Sequence, residues 1–158
     1  MMIKIPTKLL HKDAELPKFK HVGDAGADLK AVSCEYDADR DRFIYGLGFA
    51  TEIPEGYYVG ILPRSGNTKT EVYLPNSKGV IDCTYRGEWK VIYKLRTPLS
   101  PIEKLHALDF APYQVGDKIA QAILEKKIDC EYIEVSELSE TERGTDGGIN
   151  RTDNNFKI

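Results

Sequence analysis

Trp89-Lys90-Val91-Ile92-Tyr93-Lys94-Leu95 is the stretch on which the fold turns. Trp89, Val91, Tyr93 and Leu95 recur every second residue, so in an extended chain they fall on one face. Tyr57, Val59 and Ile61 repeat the pattern upstream, Phe43 and Tyr45 begin another run, and Ile133 with Val135 begins a later one. Ile119 to Leu124 is apolar apart from Gln121, whose amide in such a strand needs a partner or an edge position. Turn residues separate these runs at Pro54-Glu55-Gly56, Pro63, Gly66, Pro75-Asn76, Gly79, Gly87 and Gly116-Asp117. Many short strands at this spacing predict an all-β barrel or sandwich.

Long helical patterns are scarce. Residues 67–73 read as a loop or a short helical turn. Residues 98–115 read as an irregular excursion, with Pro98 and Pro101 preceding Ile102-Glu103-Lys104-Leu105. The last dozen residues, rich in Gly, Asn, Thr and Asp, lack the apolar surface to form a core of their own. The expected organisation is one domain over 1–142 and a flexible tail over 143–158.

At 158 residues, with 41% hydrophobic and 30% charged residues, the chain has an ordinary globular composition. The net charge is −3 with both signs interspersed, which argues against a long nucleic-acid contact. A small anionic ligand is still compatible, because a few local cations and backbone donors suffice for it. Cys34, Cys83 and Cys130 are odd in number and widely spaced, and no Cys-x-x-Cys pair occurs. They are expected to be unpaired thiols of a reducing compartment. The start of the chain lacks a signal-like apolar run, and no run approaches membrane-spanning length. The expectation is a cytoplasmic protein that binds neither membrane nor nucleic acid.

Familiar nucleotide signatures are missing: there is no Gly-x-x-x-x-Gly-Lys-Ser/Thr loop, and Gly46-x-Gly48 lacks the third glycine of a dinucleotide fingerprint. Nothing places His11, His21 or His106 beside a serine elbow. Five segments in order carry the chemistry instead. They are Ala25-Gly26-Ala27-Asp28-Leu29; Pro63-Arg64-Ser65-Gly66; Asn76-Ser77-Lys78-Gly79-Val80-Ile81-Asp82-Cys83-Thr84-Tyr85-Arg86-Gly87; Gly116-Asp117-Lys118-Ile119-Ala120-Gln121; and Arg143-Gly144-Thr145-Asp146-Gly147-Gly148. In order and approximate spacing they resemble the five motifs of the homotrimeric dUTPases. The third segment is the most specific, and the fifth matches only in part.

The resemblance implies a jelly-roll-like β-barrel, a homotrimer with sites between subunits, dUTP as substrate, dUMP and pyrophosphate as products, and Mg²⁺ as cofactor. It also implies roles for individual residues. Asp82 would be the general base that takes a proton from the attacking water; a carboxylate suits this when it is held within hydrogen-bond reach of that water. Tyr85 would pack on the deoxyribose and leave no room for a 2′-hydroxyl. Asn76 and the backbone of Gly79, Val80 and Ile81 would read the uracil edge. Ser65 and the Gly66 backbone would donate to phosphate, since successive N–H groups form an anion nest. Arg64 would hold phosphate or the subunit interface, and Gln121 the α-phosphate or the water. Asp28 would support the metal indirectly, through water. Magnesium would be held mainly by the triphosphate, which accords with the lack of a dense carboxylate cage.

Two departures stand out. The connection from Gly87 to Gly116 is longer than in compact family members by about ten residues; its extra part, 98–113, is a surface loop or a protein-binding elaboration. In the tail the family has Arg-Gly-x-Gly-Gly-Phe-Gly-Ser-Thr-Gly. Here Arg143 fits a γ-phosphate contact, Ile149 takes the place of the stacking aromatic, and Phe156 is the aromatic further on. Two rival functions are a dUTPase-like regulatory binding protein with weak catalysis and a dCTP deaminase. The deaminases carry a catalytic glutamate ten residues after the aspartate; here that position is Ile92, and Glu88 has a different offset.

Overall fold

Period-two alternation produces strands where a partner is at hand. The computed structural model describes residues 2–145. Ten strands form: β1 Thr7–Leu9, β2 Ala27–Lys30, β3 Ser33–Asp37, β4 Arg42–Gly46, β5 Phe49–Thr51, β6 Tyr57–Pro63, β7 Val72–Tyr73, β8 Gly79–Ile81, β9 Lys90–Leu95 and β10 Lys118–Lys126. They make two four-stranded antiparallel sheets, β2-β10-β6-β8 and β3-β4-β9-β7, and a two-stranded ribbon, β1-β5. The fold is all-β and jelly-roll-like. The chain divides into two units, Met1–Ile128 and Asp129–Ile158, and the strands found among the described residues lie in the first.

The core fills the space between the two larger sheets. Val59 and Ile61 of β6, Leu29 of β2 and Ile119 of β10 face Phe43 and Tyr45 of β4 and Val91 and Tyr93 of β9. The buried Tyr93 hydroxyl crosses the core to donate to Ile119 O at 2.8 Å. A buried phenol without that acceptor would be costly, so the bond fixes how the sheets face one another. In β10 the register shifts between Lys118 and Ala120. Ile119, Ala120 and Ala122 are thereby buried, while Gln121, Ile123 and Glu125 fall on the outer face.

The 98–113 insertion is anchored at both ends. Leu99 and Ala107 are buried. Tyr45 Oη donates to Tyr113 O at 2.9 Å and accepts from Tyr113 N at 3.1 Å. Between the anchors stands a one-turn helix, α1 Pro101–Lys104, with a capping box: Ser100 accepts from Glu103 N, and the Glu103 carboxylate accepts from Ser100 N at 2.7 Å. Those contacts satisfy two backbone donors at the helix start. The excursion expected to be irregular therefore carries two short helical turns, α1 and a 3₁₀ turn at Ala107–Phe110, and Ser100-x-x-Glu103 after Pro98 is the local signal of the first.

Residues 67–73, open between loop and turn in the sequence, hold the end of a 3₁₀ helix, Ser65–Lys69, and the short β7. Ile133 and Val135, expected to begin a strand, are exposed and lie in no strand. Alternation alone cannot make one: the backbone groups of a strand need a neighbour, and none pairs with this segment among the described residues. No helix among the described residues is long and apolar enough to cross a membrane. Cys34, Cys83 and Cys130 are free thiols.

Candidate active site

The outer face of the β2-β10-β6-β8 sheet collects most of the sequence-derived site residues. Register puts Gln121 of β10 between Asp28 of β2 and Leu62 of β6. Alternation then turns Asp28 and Gln121 away from the core that Ala27, Leu29 and Ala122 enter. The chain leaves β6 at Pro63, so Arg64 and Ser65 emerge beside them. Asp28, Arg64, Ser65, Gln121, Lys20 and Gly26 line one cleft of about 320 Å³.

Within this cleft the charges are already ordered. Asp28 Oδ1 accepts from Arg64 Nε at 2.7 Å, and Oδ2 lies 2.9 Å from Lys118 Nζ. Burial pushes the Asp28 carboxyl up, but hydrogen bonds and charge from Lys118 and Arg64 outweigh it and hold the group below its ordinary value. Arg64 Nη1 also donates to Lys118 O at 3.2 Å. The carboxylate thus fixes a guanidinium and an ammonium at the mouth of the cleft. Gln121 Nε2 donates to Pro63 O at 2.9 Å, which answers the requirement of an amide in an apolar strand. A Cβ on Gly26 would overlap Gln121 Oε1, so the glycine makes room for that side chain. Among the described residues, nothing beyond its own chain neighbours comes within 4 Å of where a Gly66 Cβ would stand, and the residue is exposed.

The second group lies on and beyond β8. Val80, Ile81, Asp82 and Tyr85 line a cleft of about 220 Å³ together with Glu88 and Lys90. Val80 and Asp82 also border a neighbouring hollow of about 470 Å³ with Tyr58, Lys78 and Thr84. Asp82 is exposed and opens a tight turn in which Tyr85 N donates to Asp82 O at 3.1 Å. Arg86 Nη1 braces the turn on Cys83 O at 2.6 Å and Tyr85 O at 3.0 Å. Tyr85 Oη donates to Glu88 O at 3.0 Å. Its ring lies over Gly87, where a Cβ would collide with the phenol end. Asn76 Nδ2 is 3.8 Å from the Cβ position of Gly79, which places that amide at the start of β8.

The described residues therefore gather the site into two clefts rather than one pocket. Arg143 is exposed and belongs to the second unit, and Ile149 and Phe156 lie outside the described residues. Two contributors have no place among the sequence-derived site residues. Lys118, the second cation on Asp28, sits inside the fourth segment beside the expected residues. Glu88, whose carboxylate accepts from Gly48 N at 2.9 Å, has no local signal, because its partner is 40 residues away in the chain. Glu88 thus holds backbone, and Ile92 faces Ile44 across the β4-β9 ladder.

The described residues contain no group of three or more His, Cys, Asp or Glu side chains placed to hold a metal ion. Both Asp28 oxygens are engaged by cations. Such a surface fits a divalent ion carried mainly by phosphate oxygens and water, not one held in a carboxylate cage.

The family model for dUTPase matches residues 12–152. A deoxyuridine 5′-triphosphate nucleotidohydrolase of Thermobifida fusca is 33% identical over 146 residues, spanning 92% of this chain and 76% of that protein. The protein of the same name from Helicobacter pylori strain J99 is 34% identical, spanning 92% and 94%. That from Corynebacterium diphtheriae is 37% identical, spanning 87% and 86%. In fold, the chain superposes on the Staphylococcus bacteriophage 80alpha dUTPase with a TM-score of 0.72 at 23% identity, covering 93% of this chain and 97% of that one. The dUTPase of S. aureus phage phi11, described with a species-specific insert, gives 0.67 at 23%, covering 88% and 100%. A family match over residues 12–152, with relatives 33–37% identical along most of the chain, means that this chain belongs to the dUTPase family.

Proposed function

We propose that this protein hydrolyses dUTP to dUMP and pyrophosphate, and that Asp82 is the base. The observation that carries the reading is the exposed Asp82 at the end of β8, an edge strand paired only with β6 among the described residues. The outer backbone groups of β8 are therefore available to a base edge, and a carboxylate follows at once in the chain. A cytosine there would leave buried donors and acceptors mispaired, and a C5-methyl would meet the strand itself.

In the reaction, Asp82 accepts a proton as the oxygen of a water forms a bond to the α-phosphorus. The bond from that phosphorus to the α,β-bridging oxygen breaks, and pyrophosphate leaves with the electron pair. Tyr85, anchored on Glu88 O, walls the sugar. Arg64, Ser65, the Gly66 backbone and Gln121 bind phosphate oxygens, with Arg64 aimed by Asp28. Magnesium, bound to the triphosphate and supported by Asp28 through water, would supply neutralisation of phosphate charge. Arg143 and Ile149 complete the reading as a γ-phosphate contact and a cover for the uracil. Asn76 contributes its amide to the base.

The division of the site into two clefts favours a homotrimer in which different subunits complete one centre. A further observation points to assembly. Ile3, Leu16 and Phe19 line an apolar cleft of about 230 Å³ with Trp89 and Thr51, whose buried Nε1 and Oγ1 have no hydrogen-bond partner among the described residues. Exposed apolar surface of this kind, from Ile3, Leu16 and Phe19, is what a partner subunit covers. The reading places the enzyme in the cytoplasm, where its free thiols stay reduced. A protein partner at the insertion is a second role, favoured by Ile102 and Leu105, 76% and 77% exposed on the anchored loop.

The test is pyrophosphate release from dUTP, dCTP, dTTP and UTP side by side. Asp82→Asn should lower kcat by about 10² to 10⁴ while a non-hydrolysable dUTP analogue still binds. Near-normal turnover in that variant removes Asp82 from the role. Wild-type protein inert towards dUTP removes the function.

A further inference from the structure

β8 is three residues long and lies at the edge of its sheet, with pairs only at Val59↔Ile81, Gly60↔Val80 and Ile61↔Gly79. The turn that feeds it is not relaxed: Ser77 has φ of +58°, a region that side chains disfavour. So short an edge would fray without a further tie. Lys78 supplies one. Its Nζ lies 2.6 Å from Glu125 Oε1 and donates to Oε2 at 2.8 Å, reaching across β6 to β10. Tyr58 Oη donates to the same Oε2 at 2.9 Å, and the ammonium stands 5.1 Å from the centre of the Tyr58 ring. The ion pair runs directly over Gly60, where a Cβ would overlap Glu125 Oε1 and come within 2.6 Å of Lys78 Cε. Gly60 is therefore the gap through which a hairpin residue grips the third strand of the sheet. Both side chains are only about a third exposed, at 35% for Lys78 and 31% for Glu125.

We infer that Lys78, held by Glu125 and Tyr58, is a positioning residue that sets the height of β8 and thereby the choice of base. This rests on the reading of β8 as the strand that reads uracil. In that reading Lys78 is assigned no contact with the base or the reacting atoms; it borders the hollow next to Val80 and Asp82. The Asp82 turn has its own braces in Tyr85 N, Arg86 and Tyr85 Oη. Loosening the clamp should therefore disturb recognition of the base more than the chemical step.

The experiment measures kcat and KM of the full chain for dUTP and dCTP in wild type, Lys78→Ala, Lys78→Arg, Glu125→Gln and Tyr58→Phe, with melting temperatures alongside. Lys78→Ala should raise KM for dUTP about tenfold, change kcat by less than about threefold, and raise the dCTP/dUTP ratio of kcat/KM. Glu125→Gln should reproduce these changes more weakly, Lys78→Arg should restore most of the wild-type ratio, and the effects of Lys78→Ala and Glu125→Gln should not add. An unchanged dCTP/dUTP ratio in Lys78→Ala overturns the inference, and so does a loss confined to melting temperature. Should Lys78→Ala fail to fold, the same ratio in Glu125→Gln and Tyr58→Phe decides between these outcomes. Wild-type protein that releases no pyrophosphate from dUTP refutes the functional reading itself, and the inference falls with it; wild-type activity with unaltered selectivity refutes the clamp alone.

Discussion

Asp28→Asn separates the structural from the catalytic part of the phosphate cleft. The substitution keeps shape and one acceptor, but removes the charge that Arg64 Nε meets at 2.7 Å and Lys118 Nζ at 2.9 Å. The carboxylate side chain is 14% exposed, whereas Arg64 and Lys118 are 36% and 53% exposed. Charge-assisted bonds contribute about 1.5–3 kcal/mol each when sheltered, and much less when one partner is wet. The two together should therefore contribute about 2 kcal/mol, which in a domain of this size corresponds to a fall in Tm of about 4–8 °C at pH 7. The pH dependence follows from the direction of the shift. The folded carboxyl lies below its ordinary value of 3.8, so its contribution is complete above that value and is lost as pH falls through the folded value. Scanning calorimetry of both proteins at one fixed concentration should show a gap that is constant from pH 5 to 7 and narrows at more acid pH. A variant within about 1 °C of wild type at pH 7 would refute the reasoning, as would a gap that widens on acidification.

Gly87→Ala should act through Tyr85, since the three atoms nearest the added Cβ all belong to its phenol and Gly87 has no left-handed φ to lose. The ring should leave Glu88 O, and the preference for dUTP over UTP in kcat/KM should fall by about tenfold or more; an unchanged ratio would mean that Tyr85 does not wall the sugar. Tyr93→Phe should leave Ile119 O without its cross-sheet donor and cost about 1–2 kcal/mol by urea unfolding, with kcat preserved. An undiminished midpoint would show that the bond contributes nothing net.

The site was readable in unequal parts. Asp82, Tyr85 and the residues of β8 stand within ten positions of one another, and a tight turn keeps them together whatever the rest of the chain does. Arg64 and Ser65 likewise were proposed from one short segment. Asp28 was named from its own segment, but its pairing with Arg64 and with Lys118 was not. Asp28 and Arg64 are 36 positions apart, and Lys118 is further still. Glu88, weighed in the sequence only as a glutamate at the wrong offset for deamination, accepts from the Gly48 amide. The insertion was recognised by its length, yet its anchoring through Tyr45 and Tyr113, 68 positions apart, has no trace in local sequence.

Alternation by itself determined which side chains enter the core, because successive side chains of any extended chain point to opposite faces. Val59, Ile61, Val91 and Tyr93 are buried as that rule requires. Pairing lay beyond the rule, and the register of each ladder decides which outward residues meet. Ile133 and Val135 obey the alternation and form no strand, for want of a neighbour. A slip of one residue in β10 would turn Gln121 and Glu125 into the core and undo both the Pro63 contact and the Lys78 clamp. Local stereochemistry governs the first kind of information and the long-range packing of two sheets governs the second. The candidate catalytic turn could therefore be read from the chain, whereas the charges and clamps that hold it became visible only in three dimensions.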